Sequence, residues 1–267
     1  FARFPEPAVH RAFAALSRTD SVTIDPHKLG YIAYGAGAFV CRDHRAMALL
    51  DESADYVFTT ADSPDFFAHY RALGRYVVEG SKPGAMAAAV YVTHQVLPLD
   101  HQHFGRLQAQ TIRNAEAFRE ALEDFARRMA GRVHVVLPFE PDSNLVCLAL
   151  NPVGNTTVAG MNRFVRGLYE QMVAQPDAPL QAREFFGSVT TLQPALIGRP
   201  QTETLLRQLG LDAASLDAGE DGDDRLLILR HTLMNPYLID RENNISYLER
   251  YFAFLERLVA NTSISAP

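Results

Sequence analysis

The sequence predicts an α/β protein organised as two domains, and three observations predict it. Short apolar runs bounded by Gly and Pro open the chain, in the manner of strands. A long stretch from Phe104 to Arg128 places Leu107, Ile112, Ala115, Phe118 and Leu122 at near-helical spacing. After Gly131 the pattern becomes strand, strand, helix, strand, helix, which describes a smaller α+β domain. The expected division is residues 1–130 and 131–267.

In order, residues 7–16 read as a short helix with Val9, Phe13 and Leu16 on one face. Ser21 to Asp25 reads as a strand buried on both faces and ended by Pro26. Gly30, Gly35 and Gly37 punctuate a loop before a second strand at Ala38 to Cys41. Residues 44–50 read as a short helix and residues 56–59 as an extended segment. An alanine-rich helix follows from about Ala85 to Val96, its small side chains suited to close packing against a sheet or a second subunit. In the second half, strands are expected at 133–137, 145–150 and 226–229, and helices at about 158–173 and 244–258. The acidic stretch 217–224 reads as an exposed loop without the residue order of a calcium-binding EF-hand.

Composition narrows the function classes. Of 267 residues, 48% are hydrophobic and 21% charged, the profile of a soluble globular protein. A net charge of −6 provides no basic footprint for nucleic acid. No apolar stretch reaches the length of a membrane span. Cys41 and Cys147 lie within strand-like runs and read as reduced, buried thiols of a cytoplasmic protein. The chain begins at Phe1, with no signal-peptide pattern, and reads as the C-terminal part of a longer protein.

The chemistry concentrates in Asp25-Pro26-His27-Lys28, at the end of an apolar run. An amine at a strand mouth forms a Schiff base with an aldehyde cofactor, and an adjacent imidazole holds that cofactor's phosphate or acyl groups. His101 and His103 lack a third nearby ligand and read as a polar helix start, so no metal site is expected.

Residues 21–34, Ser-Val-Thr-Ile-Asp-Pro-His-Lys-Leu-Gly-Tyr-Ile-Ala-Tyr, closely resemble the cofactor-lysine segment of group II pyridoxal-phosphate-dependent amino-acid decarboxylases. The tyrosine-decarboxylase-like members from prokaryotes are the nearer look-alikes. The resemblance continues at Val78-Glu79-Gly80-Ser81-Lys82-Pro83-Gly84-Ala85 and at Leu229-Arg230-His231-Thr232-Leu233-Met234-Asn235-Pro236. Three blocks in the family's order carry more weight than the tetrapeptide alone.

The resemblance implies a fold-type I enzyme, of which this chain holds the end of the large mixed-sheet domain and the small C-terminal domain. It implies pyridoxal 5'-phosphate as cofactor, an L-amino acid as substrate with an aromatic, tyrosine-like one favoured, and a homodimer with shared active sites. The remaining walls of the site lie upstream of this chain. Lys28 is then the Schiff-base lysine and His27 a contact to the cofactor phosphate or neighbouring groups. Tyr34 takes the place of the catalytic-loop tyrosine that protonates Cα, with Tyr31 as rival. Gly80 and Ser81 approach the phosphate from the partner subunit, or form a plain turn before a helix. Arg230 contacts the substrate carboxylate, or bridges acidic residues. Ala33 stands where many look-alikes have proline, which would stiffen the loop. The alternatives are an acidic-amino-acid decarboxylase or related carbon–carbon lyase, and a non-catalytic subunit or remnant that binds a partner chain.

Overall fold

The computed structural model describes residues 1–50, 73–76, 82–175, 177–216 and 224–262. The expected segment at 56–59, Gly80, Ser81 and nearly all of the acidic loop lie outside the described residues. Contacts divide the chain into two units, Pro7–Arg106 and Phe1–Glu6 with Leu107–Pro267.

The first unit opens with α1 (Pro7–Ala15), whose Pro at the first helical position forgoes an amide that would find no partner there. Strand β1 (Ser21–Ile24) pairs antiparallel with β2 (Ala38–Cys41), setting Ser21 opposite Cys41 and Ile24 opposite Ala38. β1 is not buried as its apolar run implies: Val22 is half-buried, while Ser21, Thr23 and Ile24 are exposed. A two-stranded sheet buries little by itself. Cys41 is accordingly half-buried and Cys147 buried, and both are free thiols. Helix α2 (Ala85–Val96) forms where the alanines predict it, yet none of its residues is buried.

The division between units falls in the first turn of α3 (Phe104–Met129), and residues 107–129 of that helix belong with the C-terminal sheet. This sheet has β3 (Val133–Val136), β4 (Leu145–Pro152), β5 (Ser188–Leu192) and β6 (Leu226–Thr232) in the order β3-β4-β6-β5, all antiparallel. Helix α4 (Val158–Glu170) begins at Thr157, whose hydroxyl accepts the Gly160 amide. After β5 come the single turn α5 (Pro194–Ile197) and α6 (Arg199–Leu209), the latter stopped by Gly210 at φ 71°. A small hairpin of β7 (Ile239–Asp240) and β8 (Ile245–Ser246) leads into α7 (Tyr247–Asn261). Ser246 caps that helix by accepting the Glu249 amide.

The core of this unit is continuous, with Phe118 and Phe125 of α3 packed on Phe252 of α7 at ring separations of 4.9 and 5.4 Å. Buried amides tie its elements together. Asn162 donates to the Arg225 carbonyl and accepts the Leu227 amide, fixing the entry to β6. Asn114, fully buried, donates to the carbonyls of Asn235 and Pro236 and so holds the loop after β6. Residues 1–6 belong here as well. The Glu116 carboxylate accepts the amides of Ala2, Arg3 and Phe4 at 2.9–3.3 Å, and Arg3 pairs with Glu140 at 2.9 Å. No described helix is long and apolar enough to cross a membrane.

Candidate functional site

Lys28 closes a tight turn at the end of β1. Its amide bonds the Asp25 carbonyl at 3.0 Å, and its ammonium meets the Asp25 carboxylate at 2.5 Å. That hydrogen bond, with the lysine's charge, holds the Asp25 carboxyl below its ordinary pKa although burial opposes the shift. The lysine side chain is well exposed, so its amine is open to a carbonyl reagent.

The chain then folds back on itself. The Tyr31 amide bonds the Lys28 carbonyl and the Ile32 amide bonds the Pro26 carbonyl, which buries Pro26 and Ile32. Gly30 is required at this point, because a Cβ there would come within 2.3 Å of the Pro26 carbonyl oxygen. Tyr31 adopts φ 54°, a left-handed conformation that non-glycine residues rarely take. Its ring lies 6.0 Å from that of Phe104. Gly35 faces the side chain of Met86 on α2.

His27 and Tyr34 meet at a ring separation of 4.8 Å. The His27 Nδ1 lies 2.5 Å from the Ala36 carbonyl oxygen, which only accepts, so Nδ1 carries the proton and donates. Nε2 is the nitrogen left to face another group. Tyr34 is 87% exposed. The structure thus brings His27 and Tyr34 together, with Lys28 next to His27 in the chain but paired to Asp25, while Gly80 and Ser81 fall outside the described residues.

Arg230 belongs to the other unit, on β6, where its Nε donates to Ser188 Oγ at 3.3 Å. Among the described residues it forms no ion pair, so the bridge to acidic residues is not seen. A cavity of about 370 Å³ opens beside it, lined by Ser188, Thr232, Asn235, Phe185 and Tyr251 among others. His101 and His103 sit in the turn before α3, where the Asp100 carboxylate accepts the amides of Gln102 and His103 and meets the His103 ring at 2.9 Å.

Two features of these sites carry no role in the sequence pattern. Asp25 stands there as part of the motif, although a carboxylate three positions before a lysine in a turn is within reach of its ammonium. The other is His231, whose ring lies in the core against Tyr251. A histidine within an apolar strand run was the available signal.

Residues 114–258 match the family model described as tyrosine decarboxylase, C-terminal. The chain is 34% identical over 241 residues to L-tyrosine decarboxylase of Levilactobacillus brevis, covering 89% of this chain and 36% of that protein. It is 32% identical over 254 residues to the Enterococcus faecium L-tyrosine decarboxylase, with 94% and 38% covered. The chain therefore spans little more than a third of the length of these relatives. Among solved structures, apo mouse CSAD superposes with a TM-score of 0.57 at 15% identity, over 94% of this chain and 42% of that one. Oryza sativa TDC with PLP and tryptamine gives 0.57 at 13%, over 95% and 41%. These two share the fold of the chain, which includes mixed helix and sheet as the sequence predicts. With more than half of its residues matched by the family model, the chain belongs to the tyrosine decarboxylase C-terminal family.

Proposed function

We propose that this chain is the C-terminal portion of a pyridoxal-phosphate-dependent decarboxylase that converts an aromatic, tyrosine-like L-amino acid to its amine and carbon dioxide. The observation that supports the reading is the segment between β1 and β2, which carries an exposed Lys28 and sets its neighbour His27 against Tyr34, in a chain related to L-tyrosine decarboxylases over most of its length. The residues fit the cofactor. Lys28 presents an exposed primary amine for the aldehyde, and its ion pair with Asp25 orients that side chain at the turn. His27, with Nδ1 committed to Ala36, has Nε2 for a phosphate or a neighbouring group. Gly80 and Ser81 remain candidates for the phosphate from the partner subunit, by resemblance alone.

When bound, the cofactor supplies the electron sink that weakens the bond between Cα and the carboxylate. Tyr34 holds the proton that Cα needs afterwards. Its hydroxyl is a proton donor, and its exposure lets it approach a substrate. Arg230, with no carboxylate partner among the described residues, is the candidate for the substrate carboxylate. The working assembly is read as a homodimer that includes the rest of the protein.

In the full-length protein, Lys28→Ala is expected to abolish the visible absorbance of bound cofactor. Tyr34→Phe is expected to keep that absorbance while suppressing amine release. Unchanged turnover in Tyr34→Phe rules out the phenol as donor, and a complete protein that binds no cofactor sinks the reading as a whole.

One observation favours a second substrate. The chain is also 31% identical over 104 residues to the aspartate 1-decarboxylase of Aliivibrio fischeri. Amine release from tyrosine and from aspartate, compared in the same assay, separates the two.

A further inference from the structure

We infer that His27 is a positioning residue for Tyr34, acting as a clasp that closes the segment between them; this rests on the reading of Tyr34 as proton donor. The imidazole reaches across nine positions to the Ala36 carbonyl at 2.5 Å, and Ala36 is only 2% exposed. The acceptor is therefore withdrawn from water, and losing its donor leaves a buried carbonyl unpaired. Along the clasped segment the backbone is pinned three times more, from the Tyr31 amide to the Lys28 carbonyl, from the Ile32 amide to the Pro26 carbonyl and from the Ala36 amide to the Ala33 carbonyl.

The segment also holds Tyr31 in the left-handed region, at φ 54°. Such a conformation persists where surrounding contacts over-determine it. The clasp is one of those contacts. Tyr34, by contrast, is almost fully in solvent, and the His27 ring is its aromatic partner among the described residues. One imidazole thus does two things. Its Nδ1 closes the segment, and its face restrains the phenol. Lys28 is the next residue along the backbone, so the amine and the phenol are carried by one closed turn.

Two substitutions separate donor from ring. His27→Phe keeps an aromatic face without the donor, while His27→Asn keeps an N–H donor close to the place of Nδ1. In the full chain, amide hydrogen exchange at Ile32 and Ala36 should quicken about tenfold or more in His27→Phe and stay within about threefold of the parent in His27→Asn. In the cofactor-loaded full-length enzyme, His27→Phe should lower kcat about tenfold with KM within about twofold, and His27→Asn should recover most of that loss. Unchanged exchange in His27→Phe overturns the clasp, whatever happens to turnover. Quickened exchange with unchanged kcat overturns the positioning role. Tyr34→Phe assayed alongside shows separately whether the donor reading fails, since the exchange result does not depend on it.

Discussion

The imidazole of His231 and the phenol of Tyr251 form a 2.5 Å hydrogen bond within the core of the C-terminal unit. His231 Nδ1 faces the Val146 carbonyl at 3.1 Å, which can only accept, so Nε2 is the lone pair that receives the Tyr251 hydroxyl. Burial drives the histidine pKa down to about 4 and the tyrosine pKa up. The histidine is therefore a neutral strut between β4, β6 and α7.

This strut makes stability depend on acid. The folded pKa of about 4 lies below the ordinary histidine value of 6.5, so the unfolded chain binds the proton more readily between them. Stability is full above pH 6.5 and falls as the pH drops toward 4, by roughly 3 kcal/mol from this group. Urea denaturation at successive pH values in that window should show the decline. A His231→Leu variant should be weaker at pH 7 yet lose less on acidification.

Tyr251→Phe removes only the donor. It leaves Nε2 buried without a partner, for a cost of about 1–3 kcal/mol in the same denaturation experiment. Asn162→Ala should cost a similar amount, about 2–3 kcal/mol, because it orphans both the Leu227 amide and the Arg225 carbonyl.

Gly30 and Gly35 offer a contrast in the Lys28 turn. A methyl at Gly30 would run into the Pro26 backbone, which must shift, so Gly30→Ala should open the turn and expose the Ile32 amide to fast hydrogen exchange. A methyl at Gly35 would meet the side chain of Met86 at 3.2 Å, and that flexible chain gives way. Gly35→Ala should leave exchange at Ile32 nearly unchanged.

Glu116 ties down residues 1–6. Burial works to raise its pKa, but the amides of Arg3, Ala2 and Phe4 together bring it below the ordinary glutamate value of 4.5. A carboxylate lowered on folding adds stability that is present above 4.5 and lost as the pH falls through the lower folded value. Glu116→Ala should speed proteolysis within residues 1–6 about tenfold at neutral pH, the equivalent of one or two lost hydrogen bonds. The parent should approach that rate in acid.

Much of this architecture is legible in the residues. Ala115, Phe118 and Leu122 announce α3 by their period, and the helix expected at about 244–258 appears as α7. β5 is missed because Ser188–Leu192 is short and offers only Val189 and Leu192 as apolar residues, and its strand state comes from pairing with β6. α6 is missed although Pro200 and Gly210 frame it, because its charged face dilutes the apolar period. The exposure of β1 follows from long-range packing, which a four-residue run does not encode. At the site, the Asp25-Pro26-His27-Lys28 string names the lysine, but the hydrogen bond from His27 to Ala36 depends on how the intervening residues turn.

The attachment of residues 1–6 to α3 gives the C-terminal unit a discontinuous sequence. Its contacts join Ala2 and Arg3 to Glu116 across 114 and 113 positions, with all of the other unit strung between. Closing so long a loop costs entropy before any contact repays it. Residues 1–6 therefore wait for α3, and the clasp at Glu116 belongs to the late stages of folding. Stopped-flow refolding of Glu116→Ala should show faster unfolding with an unchanged main folding phase.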